Sequence, residues 1–433
     1  MRRNIVHDGS GRLTYEIREI VEVAFELEAL GRGITWENIG DPIHKGERWP
    51  AWMKQVVAGL VADDITYGYV DTRGVKRTRE FLAEIVNRRD GCRITPNDIL
   101  FFNGLGDAVA KVFGFLKREA RVICPSPSYS THSSGEAAHS GYEPLTYELD
   151  PARGWMPDLE DLENKVKYND SIAGILLINP DNPTGTVYPA AILESLVDIA
   201  RRYGLFILCD EIYSYIVYDG TGTKHLSEVI GEVPGIALRG ISKEYPWPGS
   251  RCGWIEVYNQ DSHPQFRQYV DTLLAAKRLE VCSTSLPQYA IPPIMGDPRY
   301  ADHLRMRRRI FAQRADEAYG FFSGIEGISV VKPQGAFYMS IIFDPGILND
   351  RQQLKIDNRA VRENIESRVR TVQPDKRFVY YLLGATGICV VPMTGFCCTR
   401  HGFRVTMLEC DDAKRRWTWE TIAESIREYL RSG

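Results

Sequence analysis

The chain has 433 residues, 44% apolar and 25% charged, an ordinary globular composition with apolar mass for about two or three packed units and no need of disulfide staples. Its 53 Lys and Arg against 57 Asp and Glu leave a net charge of −4, which gives no sign of a nucleic-acid surface. No stretch approaches the roughly 18 uncharged apolar residues of a membrane span and no apolar signal run follows the first arginines, so no membrane is expected and the cytoplasm is the expected compartment.

From Tyr15 to Leu30 the residues Ile17, Ile20, Val21, Ala24 and Leu27 recur at helical spacing, and Gly31 stands where a helix commonly stops. This predicts an opening amphipathic helix. Between Arg121 and Val257 short apolar runs (RVIC, AGILLI, LFILC, GWIEV) alternate with amphipathic stretches such as Ala191–Arg202, which predicts buried parallel strands with crossover helices. AGILLI ends at Asn179 and LFILC at Asp210; ligands of open α/β sheets bind beyond the carboxyl ends of strands, so these positions are candidates for chemistry.

From Tyr300 onward a charged helical stretch (Leu304–Gly320), the strand-like ISVVK and AFYMSIIF, and a closing helix carrying Ile422, Ile426 and Leu430 predict a smaller α+β unit. The charge-rich segment Asn349–Arg377, periodic only around Val361–Val369, reads as a solvated insertion. The expected fold class is therefore α/β: a large domain (51–295) with a mostly parallel sheet flanked by helices, and a smaller α+β domain (296–433) joined by an amino-terminal helix and arm (1–50). The nine cysteines form no C-x-x-C pair and have no histidines at zinc spacing, so they read as reduced, mostly buried thiols and no metal site is expected. The adjacent Cys397 and Cys398 read as packed small residues.

Taken singly, the chemistry-bearing segments are weak. Asp181-Asn182-Pro183-Thr184-Gly185 is a turn signal, Asp210-Glu211-Ile212-Tyr213 suits a helix cap, and Ser242-Lys243 with Arg251 would serve as a basic loop. Gly104-Leu105-Gly106, leading into the periodic Ala108, Val109, Val112 and Phe113, would present amides at a helix start as phosphate sites do, and Arg251 offers a planar donor fork. Their fixed order is more specific: Asn103–Ala108, Pro125–Tyr129, Asn182–Gly185, Asp210–Tyr213, Ser242–Lys243, Arg251, Arg404. In that order, from Asn38 to the last helix, the sequence resembles the pyridoxal-phosphate aminotransferases of class I/II.

The resemblance implies the fold type I architecture and, for each segment, a role. Lys243 would form the Schiff base with pyridoxal 5'-phosphate and shuttle a proton, and Asp210 would keep the ring nitrogen protonated. Asn182 and Tyr213 would hydrogen-bond the phenolic oxygen, and Tyr129 would lie against the ring face. Leu105, Gly106, Ser242 and Arg251 would hold the phosphate. Tyr69, within Tyr67–Gly74, would reach the phosphate of a neighbouring subunit, which implies a homodimer with shared active sites. Arg404 would grip the substrate α-carboxylate, and Gly40 belongs to a segment that closes over the substrate. Three departures stand out: Gly106 and Gly240, where relatives often carry a hydroxyl, and Pro392-Met393-Thr394, where many read Pro-Gly-Ser.

Asn38–Pro42 with Gly46, Gly253–Val257 with Asn259, GICVVP (Gly387–Pro392) and FRVTML (Phe403–Leu408) are most similar to the alanine aminotransferase branch. This implies amino transfer in two ping-pong stages from an amino acid, with alanine favoured and aspartate also open, to a 2-oxoacid such as 2-oxoglutarate. A distal carboxylate needs a second cation, for which His44, Lys45, Arg48 and Arg278 are the candidates. The same cofactor residues would also serve a β-lyase or a decarboxylase. A cofactor-binding sensor of a transcription regulator is a further alternative, although no basic helix-turn-helix pattern precedes Asn38.

Overall fold

The computed structural model describes residues 5–13, 16–218 and 220–433, Glu16 by its backbone only. The predicted first helix forms as α1 (Glu16–Ala29); Tyr15, its expected start, lies outside the described residues. Ile20, Ala24 and Leu27 are fully buried along one face, and Gly31, at φ +90°, ends the helix.

The large sheet begins with β1 (Ile99–Phe102), after which Gly104 turns the chain into α2 (Leu105–Gly114). It continues through β2 (Arg121–Ser126), α3 (Ser130–Ser140), β3 (Thr146–Asp150), β4 (Met156–Pro157) and β5 (Ile172–Ile178). After α4 (Ala190–Tyr203) come β6 (Phe206–Asp210), β7 (Gly235–Gly240) and β8 (Gly253–Tyr258). The eight strands are ordered β1-β8-β7-β6-β5-β2-β3-β4. Alternate residues face opposite layers: Ile175 and Leu177 of β5 pack with Leu193 and Leu196 of α4, whereas Leu176 and Ile178 pack with Val109 and Val112 of α2.

Strands β2, β5 and β6 are parallel, as their apolar runs predict, and β7 is parallel to β6, but β8, which holds GWIEV, is antiparallel to both its neighbours. A fully buried strand shows the same uninterrupted apolar run in either direction. The direction follows instead from the link between β7 and β8, residues 241–252, which contains no crossover helix.

The second unit comprises α5 (Pro298–Phe322), β9 (Ile328–Val330), β10 (Tyr338–Phe343), α6 (Arg359–Arg368), α7 (Pro374–Thr386), β11 (Val391–Pro392), β12 (Gly402–Thr406) and α8 (Asp412–Arg431). Its antiparallel sheet runs β9-β10-β12-β11, and α1 packs into the same core beside Phe311, Val405 and Ile422. The segment Asn349–Arg377 is not a solvated insertion. Asn358 caps α6, accepting from the amides of Ala360 and Val361, and Leu354, Ile356, Val361, Ile365 and Val369 are buried in the core. Each such burial contributes about 1.5–3 kcal/mol, and their wide spacing among charged residues hides the pattern in the sequence.

All nine cysteines are free, and five of them (Cys124, Cys209, Cys252, Cys389 and Cys398) are buried. Among the described residues no helix is long and apolar enough to cross a membrane, and no group of His, Cys, Asp and Glu is placed to hold a metal ion.

Candidate active site

Parallel strands β5, β6 and β7 end at Ile178, Asp210 and Gly240, and the segments that follow them open onto a cavity of about 540 Å³. The small sheet closes its other side through Tyr338 and Arg404, and the 38–41 arm crosses it. Of the residues singled out in the sequence, Gly40, Leu105, Gly106, Tyr129, Asn182, Asp210, Tyr213, Ser242, Lys243, Arg251 and Arg404 all line this cavity. Tyr69 does not; it lies 87% exposed to solvent.

Asp210, the last residue of β6, is buried and accepts from the Ile212 amide at 3.0 Å through Oδ1, while Oδ2 lies 2.8 Å from His132 Nε2. Lys243 follows β7 on the Ile241–Cys252 link and donates through Nζ to the Gly40 carbonyl at 2.7 Å. Burial lowers its pKa to about 8; Asp41 and Asp210 oppose the shift, and Arg404 and Arg251 add to it.

At one end of the cavity α2 begins. The first amides of a helix have no partner within it, and Leu105 and Gly106, which open α2, line the cavity together with Arg251 and Ser242. Gly104 has φ +85°, and a Cβ there would lie 2.5 Å from the Arg251 guanidinium, so glycine is required where the arginine crosses the helix start. Of the two positions without a hydroxyl, Gly106 has open space for a side chain, whereas a Cβ on Gly240 would press against the Cys252 carbonyl at 3.0 Å.

The Asp181–Gly185 turn is closed by Asp181, whose Oδ2 accepts from the amide and hydroxyl of Thr184 at 3.0 and 2.6 Å. Gly185, at φ +74°, sits so close to β10 that a Cβ would lie 2.5 Å from the Tyr338 carbonyl. This turn presents Asn182, whose Oδ1 accepts from Arg404 at 3.1 Å. Arg404, fully buried on β12, also donates to the Asn38 carbonyl, and its guanidinium is flanked by the rings of Tyr338 at 4.5 Å and Phe396 at 5.0 Å. Phe396 belongs to the loop where Met393-Thr394 departs from the common pattern; Asp375 holds that loop by accepting from the Thr394 amide and hydroxyl.

Among the lining residues not singled out in the sequence are His132, Tyr338 and Arg18. His132 stands one helical turn beyond Tyr129, a spacing that would have paired them on one face. Tyr338 exchanges a hydrogen bond with the Tyr213 hydroxyl at 2.8 Å; only its place in the AFYMSIIF strand hinted at burial. Arg18, on the first turn of α1, lines the cavity with no hydrogen bond or ion pair among the described residues. Asn38 Nδ2, donating to the Ile17 carbonyl at 3.3 Å, ties this turn to the arm. The four cations expected as alternatives do not line the cavity: Lys45 is buried against Glu37 and Glu409, His44 lies 3.7 Å from Asp41, and Arg48 and Arg278 face solvent.

The model of the family described as aminotransferase class I and II matches residues 38–420. The chain is 54% identical, over the full length of both, to an uncharacterized aminotransferase of Methanocaldococcus jannaschii. It is 30% identical to an alanine aminotransferase of Mycobacterium tuberculosis across 79% of this chain and 80% of that one. A solved alanine aminotransferase of Pyrococcus furiosus superposes with a TM-score of 0.84 at 26% identity, covering 98% of this chain and 100% of its own. With the strand-end constellation in place and the family model spanning that constellation, the chain belongs to the class I and II aminotransferases.

Proposed function

We propose that this aminotransferase binds pyridoxal phosphate in the cavity and moves an amino group between alanine and 2-oxoglutarate. The observation that carries this is the convergence of Lys243, Asp210 and Arg404 on one cavity that begins at a helix amino terminus beside Arg251. The donor set fits the cofactor. The first amides of α2, Arg251 and Ser242 suit its phosphate, the buried Asp210 carboxylate suits a protonated ring nitrogen, and Asn182 and Tyr213 are hydrogen-bonding groups beside the lysine. When bound, pyridoxal phosphate supplies a carbonyl carbon for the amino group and a ring that accepts the electron pair left at the substrate Cα.

The chain's own residues do the rest. Arg404 takes the α-carboxylate, exchanging its bond to the Asn38 carbonyl for one to substrate. Lys243, neutral above its lowered pKa, accepts the Cα proton and returns it, and the Gly40 carbonyl orients its amine. Arg18, a cation lining the same cavity with no hydrogen bond or ion pair among the described residues, supplies the counter-charge for the distal carboxylate of glutamate or 2-oxoglutarate. The names of the relatives, alanine aminotransferase and glutamate-pyruvate aminotransferase, support this substrate pair. We also propose a cytoplasmic homodimer in which the exposed Tyr69 completes the partner's phosphate site, and a division into a large domain (51–295) and a small one (296–433) carrying residues 1–50.

The protein loaded with pyridoxal phosphate and given alanine alone is expected to convert stoichiometrically to the amine form, and 2-oxoglutarate is expected to restore it. Ammonia or carbon dioxide released without an oxoacid would instead establish a lyase or decarboxylase. Arg18→Met is expected to lower kcat/KM for 2-oxoglutarate about 10- to 100-fold, the worth of a lost charged hydrogen bond, while the alanine half-reaction changes far less. Equal losses in both half-reactions would remove Arg18 from the distal site.

The lysine sets a pH dependence. Below its pKa of about 8 the amine is protonated and neither attacks a carbonyl nor accepts a proton. Capture of pyridoxal phosphate by the apoprotein is therefore expected to quicken about tenfold per pH unit up to that value and then level off. A stopped-flow profile that climbs to the ordinary lysine value would show that burial does not depress this amine.

A further inference from the structure

Lys243 is held at its amine by the arm and at its main chain by Arg307 of α5, which itself grips the arm. Its amine donates to the Gly40 carbonyl at 2.7 Å. Its main-chain carbonyl accepts from Arg307 Nη1 at 2.6 Å, and the same nitrogen lies 3.2 Å from the Glu244 carbonyl. Arg307, buried on α5, uses its other two nitrogens as a fork on Glu47, with Nε to Oε1 at 2.6 Å and Nη2 to Oε2 at 3.0 Å. Glu47 closes the arm turn by donating its amide to the Pro42 carbonyl at 2.9 Å, and Asp41 Oδ1 caps that turn by accepting from the amides of Ile43 and His44. One guanidinium thus bridges the arm, the lysine loop and the helix of the small unit.

We infer that Arg307 is a positioning residue that locks the Lys243 main chain to the Asp41–Glu47 turn, so that the lysine amine swings between bonding partners while its backbone stays fixed and the arm stays closed. The inference rests on the reading that Lys243 carries the cofactor and moves the proton. The amine must leave Gly40 and return in every half-reaction, and a main chain free to drift would spoil the alignment of proton transfer. A displacement of about 1 Å from a change outside the reacting groups costs roughly 100-fold in rate. Only a planar fork can span a carboxylate and two carbonyls together; a lysine, as a point donor, cannot.

The test compares the loaded wild type with Arg307→Lys, Glu47→Gln and Lys243→Ala. Three quantities are measured: the single-turnover rate with alanine, the primary isotope effect with Cα-deuterated alanine, and amide hydrogen exchange over residues 38–47 with and without pyridoxal phosphate. In Arg307→Lys the rate is expected to fall about 10- to 100-fold. The isotope effect should rise above that of the wild type, and the Gly46 and Glu47 amides should exchange faster in both states. Glu47→Gln should show the same changes more weakly, and it decides the matter if Arg307→Lys does not fold. An unchanged isotope effect, or unchanged exchange over the arm, would overturn the inference even if thermal stability fell. Full turnover in Lys243→Ala would instead overturn the reading beneath it.

Discussion

Lys243→Ala is expected to lower turnover by about 10⁴-fold, the upper end of what a positioned general base contributes, while the folded protein remains as stable as the wild type. The fold should tolerate the change because the amine makes one hydrogen bond among the described residues, to the Gly40 carbonyl, and its charged form is disfavoured where it sits. Removing it relieves a desolvated cation and gives up, besides that bond, a loose contact 5.9 Å from the centre of the Phe337 ring. The contacts proposed for the phosphate and the ring, Arg251, the α2 amides and Asp210, are untouched, so pyridoxal phosphate should still bind, but without the absorbance of its bond to lysine. Two measurements check this together: the spectrum of the loaded variant and its single-turnover rate with alanine. A variant that keeps both the wild-type spectrum and the wild-type rate would move the chemistry to another amine.

The cavity residues that the sequence made legible are those that stand in a short contiguous motif. Asp210 ends one apolar strand and Asn182 lies shortly beyond another, and strand ends are where an open sheet presents ligands, so their place at the cavity could be anticipated before their neighbours were known. Arg404 and Lys243 stand 161 positions apart, and only their order among other motifs linked them; the structure adds that both contact the arm, at Asn38 and Gly40. What stayed hidden depends on packing between distant segments. Arg18 belongs to a helix whose apolar face was evident, but which of its polar residues would border the cavity depends on how Asn38 docks the Ile17 turn. Arg307 lies in an arginine-rich run, Arg305 to Arg309, in which nothing local distinguishes the buried residue from its solvated neighbours. The direction of β8 and the burial of α6 were hidden for related reasons: a buried strand carries no sign of its direction, and a helix with few apolar residues among charges resembles a solvated loop.

Asp210→Asn carries the second large effect, an expected loss of about 10³-fold in kcat/KM with a stability loss of about 1–3 kcal/mol. Both carboxylate oxygens act as acceptors, Oδ1 from the Ile212 amide and Oδ2 toward His132 Nε2. The Ile212 amide can only donate, so the asparagine must keep its carbonyl there and turn its NH₂ toward His132. The buried imidazole can satisfy that by accepting at Nε2 and carrying its proton on Nδ1, which is buried with no hydrogen-bond partner among the described residues, so the change of tautomer costs about 1–3 kcal/mol. What cannot be recovered is the charge. A carboxylate placed in advance at this end of the cavity favours a protonated ring nitrogen, and losing one such preorganised electrostatic partner costs about 10²- to 10³-fold; a full charge belongs at the upper end. Steady-state kinetics measure the loss, and nitrogen NMR of His132 reads the tautomer. A cofactor analogue methylated on the ring nitrogen, whose positive charge needs no carboxylate, should recover most of the rate in Asp210→Asn. If the analogue recovers nothing while the His132 tautomer has changed, Asp210 acts by orienting the histidine, and its charge is not what the reaction requires.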